Sequence, residues 1–159
     1  MLDAVQVQKI LPHRFPFLFV DGVESWDKDA EGGPSIVALR LVSMSDPILQ
    51  GHFPGNPIVP GVVQVEAMAQ AAVVLAHLTG HFDANLHHCF FMGIESARFR
   101  APVVPGERLE IRVQAQRLGR VGKFAGEIRV GDKVKSSATI TAVIELKDKG
   151  GKDEGKPSA

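Results

Sequence analysis

From Glu107 the chain alternates. Leu109, Ile111, Val113 and Ala115 are apolar, while Glu110, Arg112, Gln114 and Gln116 between them are polar. A period of two marks a strand with one buried face. "KFAGEIRV" and "KVKSSATITAVIEL" follow as two further strands, joined by Gly131-Asp132, a two-residue link suited to a tight hairpin. Upstream, "FPFLFVDGVESW" and "SIVALRLVSM" read as a strand pair across Gly32 and Gly33, and "HHCFFMGIESARFR" reads as a strand before the corner "APVVPGE". One segment breaks the pattern. "PGVVQVEAMAQAAVVLAHLTG" is apolar on almost every side, with Pro60 suited to a helix start and Gly80 to its end. A helix apolar all round must be buried all round. About six strands and one long helix therefore predict an α+β fold in which a curved antiparallel sheet wraps the helix.

The length of 159 residues suits one domain, set here at 1–146, and the charged tail 147–159 ("KDKGGKDEGKPSA") has no apolar anchor and reads as disordered. No charge-free apolar run reaches membrane-spanning length and the N-terminus does not resemble a leader, so a cytoplasmic protein with no membrane contact is expected. Cys89 is the single cysteine and excludes an internal disulfide framework. The net charge of zero conceals an uneven distribution. Residues 1–95 hold four Lys/Arg and ten Asp/Glu, whereas residues 96–135 hold ten and four. The basic segment is either a set of solvated strand faces or a surface for an acidic partner.

Chemistry concentrates in "GHFPGNPIVPGVVQVEAMAQ", Gly51 to Gln70. Glu66 lies within the apolar helix, and Gln70 shares its face one turn on. A carboxyl in such a setting can hold a proton and surrender it, as a general acid must. His52 is the complementary group, on a loop stiffened by Pro54, Pro57 and Pro60. Gly61 opens the helix, where its amide is free for an oxygen that gains charge. The residues alone also allow a structural histidine and a glutamate that merely ties down a loop.

"LPHRFPFLFVDGV", "GHFPGNPIVPGVVQVEAMAQ" and "GIESARFRAPVVPGERL" together resemble the (3R)-hydroxyacyl-acyl carrier protein dehydratases of the FabZ type, which have the hot-dog fold; the resemblance runs from about Val5 to Leu146. It implies dehydration of a β-hydroxyacyl thioester to the trans-2-enoyl thioester in fatty acid elongation, without a cofactor. His52 would remove the proton beside the thioester carbonyl, and Glu66 would protonate or position the departing hydroxyl. The Gly61 amide would bind the thioester oxygen, the Ile58 carbonyl would orient His52, and Gln70 would hold Glu66. Phe90 or Phe91 would stand where the family places an aromatic gate over an acyl tunnel, since the chain has no tyrosine. Arg98, Arg100, Arg117, Arg120 and Lys123 would dock the acidic acyl carrier protein. A homodimer with shared active sites is implied, with room for a trimer of dimers.

Isomerising relatives carry aspartate at the position of Glu66 and tryptophan at that of Ala69, so dehydration without isomerisation is expected. Val63-Gln64 replaces a usual Leu-Ile pair, and the last strand lacks a common Ala-Glu-Ala, which leaves a specialised lipid or polyketide pathway open. A hot-dog thioesterase and a non-catalytic acyl-binding or scaffold subunit are the rival readings. His77, His81, His87 and His88 form no recognised metal set, and no phosphate loop, GxSxG elbow, nucleotide fingerprint or basic-aromatic ladder for nucleic acid occurs. His13, between Pro12 and Pro16, reads as part of a structural turn.

Overall fold

A computed structural model describes residues 1–147; the expectation for the tail concerns residues that, apart from Lys147, lie outside that range. The elements run α1 (Ala4–Ile10), β1 (Gly22–Asp27), β2 (Ser35–Leu41), a 3-10 turn (Pro47–Leu49), α2 (Gly61–Leu78), β3 (His87–Phe99), β4 (Arg108–Arg117), β5 (Val121–Val130) and β6 (Lys133–Leu146). Every neighbouring pair is antiparallel, in the order β1-β2-β4-β5-β6-β3. This is the α+β hot-dog architecture, with α2 held against the sheet. Val130 pairs with Lys133 across the Gly131-Asp132 link.

The core forms where the alternating faces meet the helix. Leu109, Ile111, Val113, Ile128 and Ile140 are buried from the sheet, and Val65, Met68, Ala71 and Leu75 from α2. A Cβ on Gly126 would come within 2.9 Å of the Met68 sulfur, so the missing side chain lets helix and sheet approach closely. Pro60 caps α2 from outside and Gly61 is its first residue, one position later than the sequence suggests. By length and composition α2 could cross a membrane, but 56% of it is buried here and the sheet supplies its apolar environment. The cover is incomplete along one line: Val62, Glu66, Ala69 and Val73, at helical spacing, remain exposed or half-buried.

Two differences from the sequence reading concern the N-terminal part. α1 escapes the apolar pattern and is instead set by a capping box in which Asp3 and Gln6 satisfy each other's backbone amides. "FPFLF" is not strand. Gln70, 1% exposed, takes the place of a neighbouring strand: its Nε2 donates to the Phe17 carbonyl (2.9 Å), and its Oε1 accepts from the Phe19 amide (2.8 Å). β1 begins only at Gly22.

Replacing Gln70 by leucine would strand those two backbone groups in an apolar interior. Gln70→Leu is expected to lower stability by about 2–4 kcal/mol, read by urea unfolding, with faster proteolysis between Arg14 and Phe19.

Candidate active site

The loop before α2 holds His52 through backbone contacts on both sides. The Ile58 amide donates to the His52 carbonyl (2.8 Å), Phe53 and Asn56 exchange backbone bonds, and the Val59 amide donates to the Val103 carbonyl (2.8 Å). The receiving corner is itself fixed, because Lys135 donates to the Pro102 carbonyl and pairs with Glu107 at 2.5 Å. Within this frame His52 Nδ1 stands 2.7 Å from the Ile58 carbonyl. A carbonyl can only accept, so Nδ1 carries the proton and Nε2 presents a lone pair. That is the form a general base needs.

His52, Ile58, Gly61, Phe99 and Arg100 line one concavity. The first helical donations to Pro60 come from Val63 and Gln64, which leaves the Gly61 amide without a helical acceptor. A Cβ on Gly61 would lie 2.8 Å from the Phe99 ring, a steric requirement for glycine that the sequence did not reveal.

Glu66 lies elsewhere. It faces a cavity of about 270 Å³ whose walls share no residue with the His52 concavity. Phe90, Phe91, Cys89 and Phe82 line it together with Ala69, Val73 and Ala76 of α2. From Glu66 to Ala76 the apolar wall extends about 15 Å along the helix. Gln70 Nε2 donates to Glu66 Oε1 at 2.8 Å.

His13 joins this cavity, contrary to the reading that confined it to a turn. Its Nε2 is 3.5 Å from Glu66 Oε1, and its Nδ1 is buried without a hydrogen-bond partner. The signal was the histidine in "LPHRFPF"; the obstacle was that its partner is far away in sequence. Burial drives the His13 pKa below its ordinary 6.5, with Arg14 adding to the effect and the Glu66 carboxylate opposing it. Burial, and secondarily Glu66, push the Cys89 thiol up to about 11.

The five candidate docking cations do not form one patch on a single chain. Arg98 stands opposite Ser137 on β6, and the Arg120 carbonyl accepts from the Ile144 amide. Seven residues of strand separate those two points, about 23 Å. Arg117 and Lys123 lie with Arg120, and Arg100 with Arg98. Arg120 and Lys123 also pair with Glu145 (3.7 Å) and Glu95 (2.6 Å). Among the described residues no three His, Cys, Asp or Glu side chains converge as a metal site.

The central helix carries the acid on its uncovered line, and the loop before that helix holds the imidazole in a separate concavity. The family description "FabA-like domain" matches residues 11–139, and the chain belongs to that family. Among its relatives are enzymes named 3-hydroxyacyl-[acyl-carrier-protein] dehydratase FabZ. One from Erythrobacter litoralis is 48% identical, covering 89% of this chain and 92% of its own. Another, from Anaeromyxobacter sp. strain K, is 44% identical and covers 91% of each. In solved structures the fold resembles the dehydratase heterocomplex ApeI:P of Xenorhabdus doucetiae (TM-score 0.72, 21% identity, 90% of this chain and 91% of that one). It also resembles a mutant thioesterase from Pseudomonas aeruginosa (TM-score 0.65, 16% identity, 91% and 94%).

Because the folded state resists protonating His13, stability is fully present above pH 6.5 and is lost as pH falls from there through the depressed pKa. The melting temperature of the wild-type chain should therefore fall more between pH 7.5 and 5 than that of His13→Phe. Parallel melting curves would contradict this assignment.

Proposed function

We propose that this chain dehydrates (3R)-hydroxyacyl groups carried on acyl carrier protein to the trans-2-enoyl thioester, as in the elongation cycle of fatty acid synthesis. The observation that carries the reading is the His52 geometry: Nδ1 bound to the Ile58 carbonyl and Nε2 free, in a chain 48% identical to a protein named for this reaction. Nε2 removes the proton from the carbon beside the thioester carbonyl, whose oxygen is met by the Gly61 amide. As the electron pair forms the double bond, the carbon–oxygen bond breaks and Glu66 gives its proton to the hydroxyl, which leaves as water. The proton on His52 then returns to Glu66, and the protein is restored. Ala69 beside Glu66 leaves the cavity open, and the reaction stops at the 2-enoyl product.

His52 and Glu66 face different concavities of one chain, so the reaction needs a second copy. β3 supplies a means of bringing it. It is a 13-residue edge strand with no buried residue, and Phe90, Phe91, Met92, Ile94 and Phe99 are each 45–60% exposed. Long apolar edges of this kind pair with another chain. A twofold axis near Ile94 and Glu95 would set Phe99 of one copy beside Phe90 of the other, and with them His52 beside the second copy's Glu66. The same operation would draw the Arg98 end of one chain toward the Arg120 end of its partner, so one carrier-protein surface would form from both. Phe90 and Phe91 would gate the cavity that takes the acyl chain.

A hot-dog thioesterase would release free thiol from the same substrate, whereas a dehydratase changes only the conjugated enoyl absorbance. His52→Ala and Glu66→Gln should each reduce turnover by about a hundredfold to ten-thousandfold with the fold retained. Full activity in either folded variant would refute the assignment. When the two variants are co-expressed, mixed dimers each hold one intact site, and activity should recover to roughly a quarter of wild type. No recovery in a confirmed mixed dimer would rule out the shared site.

A further inference from the structure

Gln70 Nε2 and His13 Nε2 both point at the same oxygen of Glu66, Oε1, at 2.8 and 3.5 Å. We infer that His13 is a positioning residue for Glu66, completing with Gln70 a two-donor clamp on Oε1 that leaves Oε2 as the oxygen handing its proton to the substrate. The inference rests on the proposed dehydration and adds to it a residue and an atom. It begins from the surroundings of the ring. Nδ1 is buried and makes no hydrogen bond, so the imidazole is not held by a polar partner on its far side, as a structural histidine commonly is. Its position is set instead by the backbone. Arg14 Nη1 donates to the Leu11 and His13 carbonyls, the Phe17 amide donates to the Arg14 carbonyl, and the Phe17 ring lies 6.3 Å from the imidazole.

The tautomer follows from the neighbour. A lone pair on Nε2 would face the Glu66 oxygen and be repelled, whereas an N–H there faces it and is attracted; the proton therefore resides on Nε2. A separation of 3.5 Å is too long for a full hydrogen bond and too short for an intervening water. Catalytic contacts often stand this long without substrate and shorten on binding. With both donors on Oε1, the carboxyl cannot turn that oxygen toward the cavity. The exchangeable proton is confined to Oε2, and the donors meet the charge that gathers as it departs. The ionisable groups that feel this carboxyl are His13, from the loop after α1, and Cys89, from β3, while Arg14 acts on His13.

His13→Phe keeps the ring and its packing but removes the donor, while His13→Gln carries an amide nitrogen near the Nε2 position. In dehydration assays on variants that unfold cooperatively, His13→Phe should reduce kcat by about tenfold to a hundredfold with KM within about twofold. His13→Gln should recover most of that loss. Wild-type kcat in His13→Phe, or equal loss in both variants, would overturn the clamp. Nitrogen-15 NMR of histidine-labelled wild-type protein gives a test independent of turnover: the His13 resonances should report Nε2–H, and Nδ1–H would overturn the inference. A wild-type chain that failed to dehydrate its substrate would refute the proposed reaction, and the NMR result would still decide the contact between His13 and Glu66.

Discussion

An almost wholly apolar helix cannot be left in water, and six strands cannot close around it. α2 buries Val65, Met68, Ala71 and Leu75 against the concave sheet, with Gly126 giving up its side chain so that Met68 can approach. The line from Val62 through Glu66 and Ala69 to Val73 is left short of cover. The acid lies on that line, and the apolar edge of β3 lies beside its cavity. The exposed acid and the unpaired edge are thus two results of one packing deficit.

Gln70 links the fold to the acid. Its amide satisfies two backbone groups that a neighbouring strand would otherwise have taken, and the same Nε2 reaches Glu66. The loop carrying Phe17 and Phe19 and the carboxylate orientation are consequently set by one buried side chain. His52 depends on a different chain of contacts, through Val59 to the corner that Lys135 and Glu107 hold. Two independent frames fix the two groups.

The sequence made the periodic elements legible. The long helix, the Gly131-Asp132 hairpin and the strands with one buried face all appear where alternation and turn residues set them. The sequence pattern overextends β1 because a side chain 51 and 53 residues away from its two backbone partners does the work of a neighbouring strand, and no local pattern records that. α1 is too short to display an apolar period, and its capping box was the available mark. His52, Ile58, Gly61, Gln70 and Glu66 lie in one continuous stretch, and the resemblance of that stretch to a family offers them together as candidates. His13 could not be joined to them, since its partner is reached only through the fold. The candidate docking cations are close in sequence, but antiparallel strands carry such neighbours to opposite ends of a sheet.

Cys89 borders the same cavity as Glu66, with its thiol pushed up to about 11. A thioester substrate would bring an acyl group within reach of that sulfur, and a thiolate would exchange with it, leaving the protein acylated and the carrier empty. Burial keeps that thiol protonated at neutral pH, and the thiol is a poor nucleophile. The apolar wall around the acid therefore also keeps the chain's one cysteine in its unreactive form, and Glu66, across the same cavity, reinforces that protection.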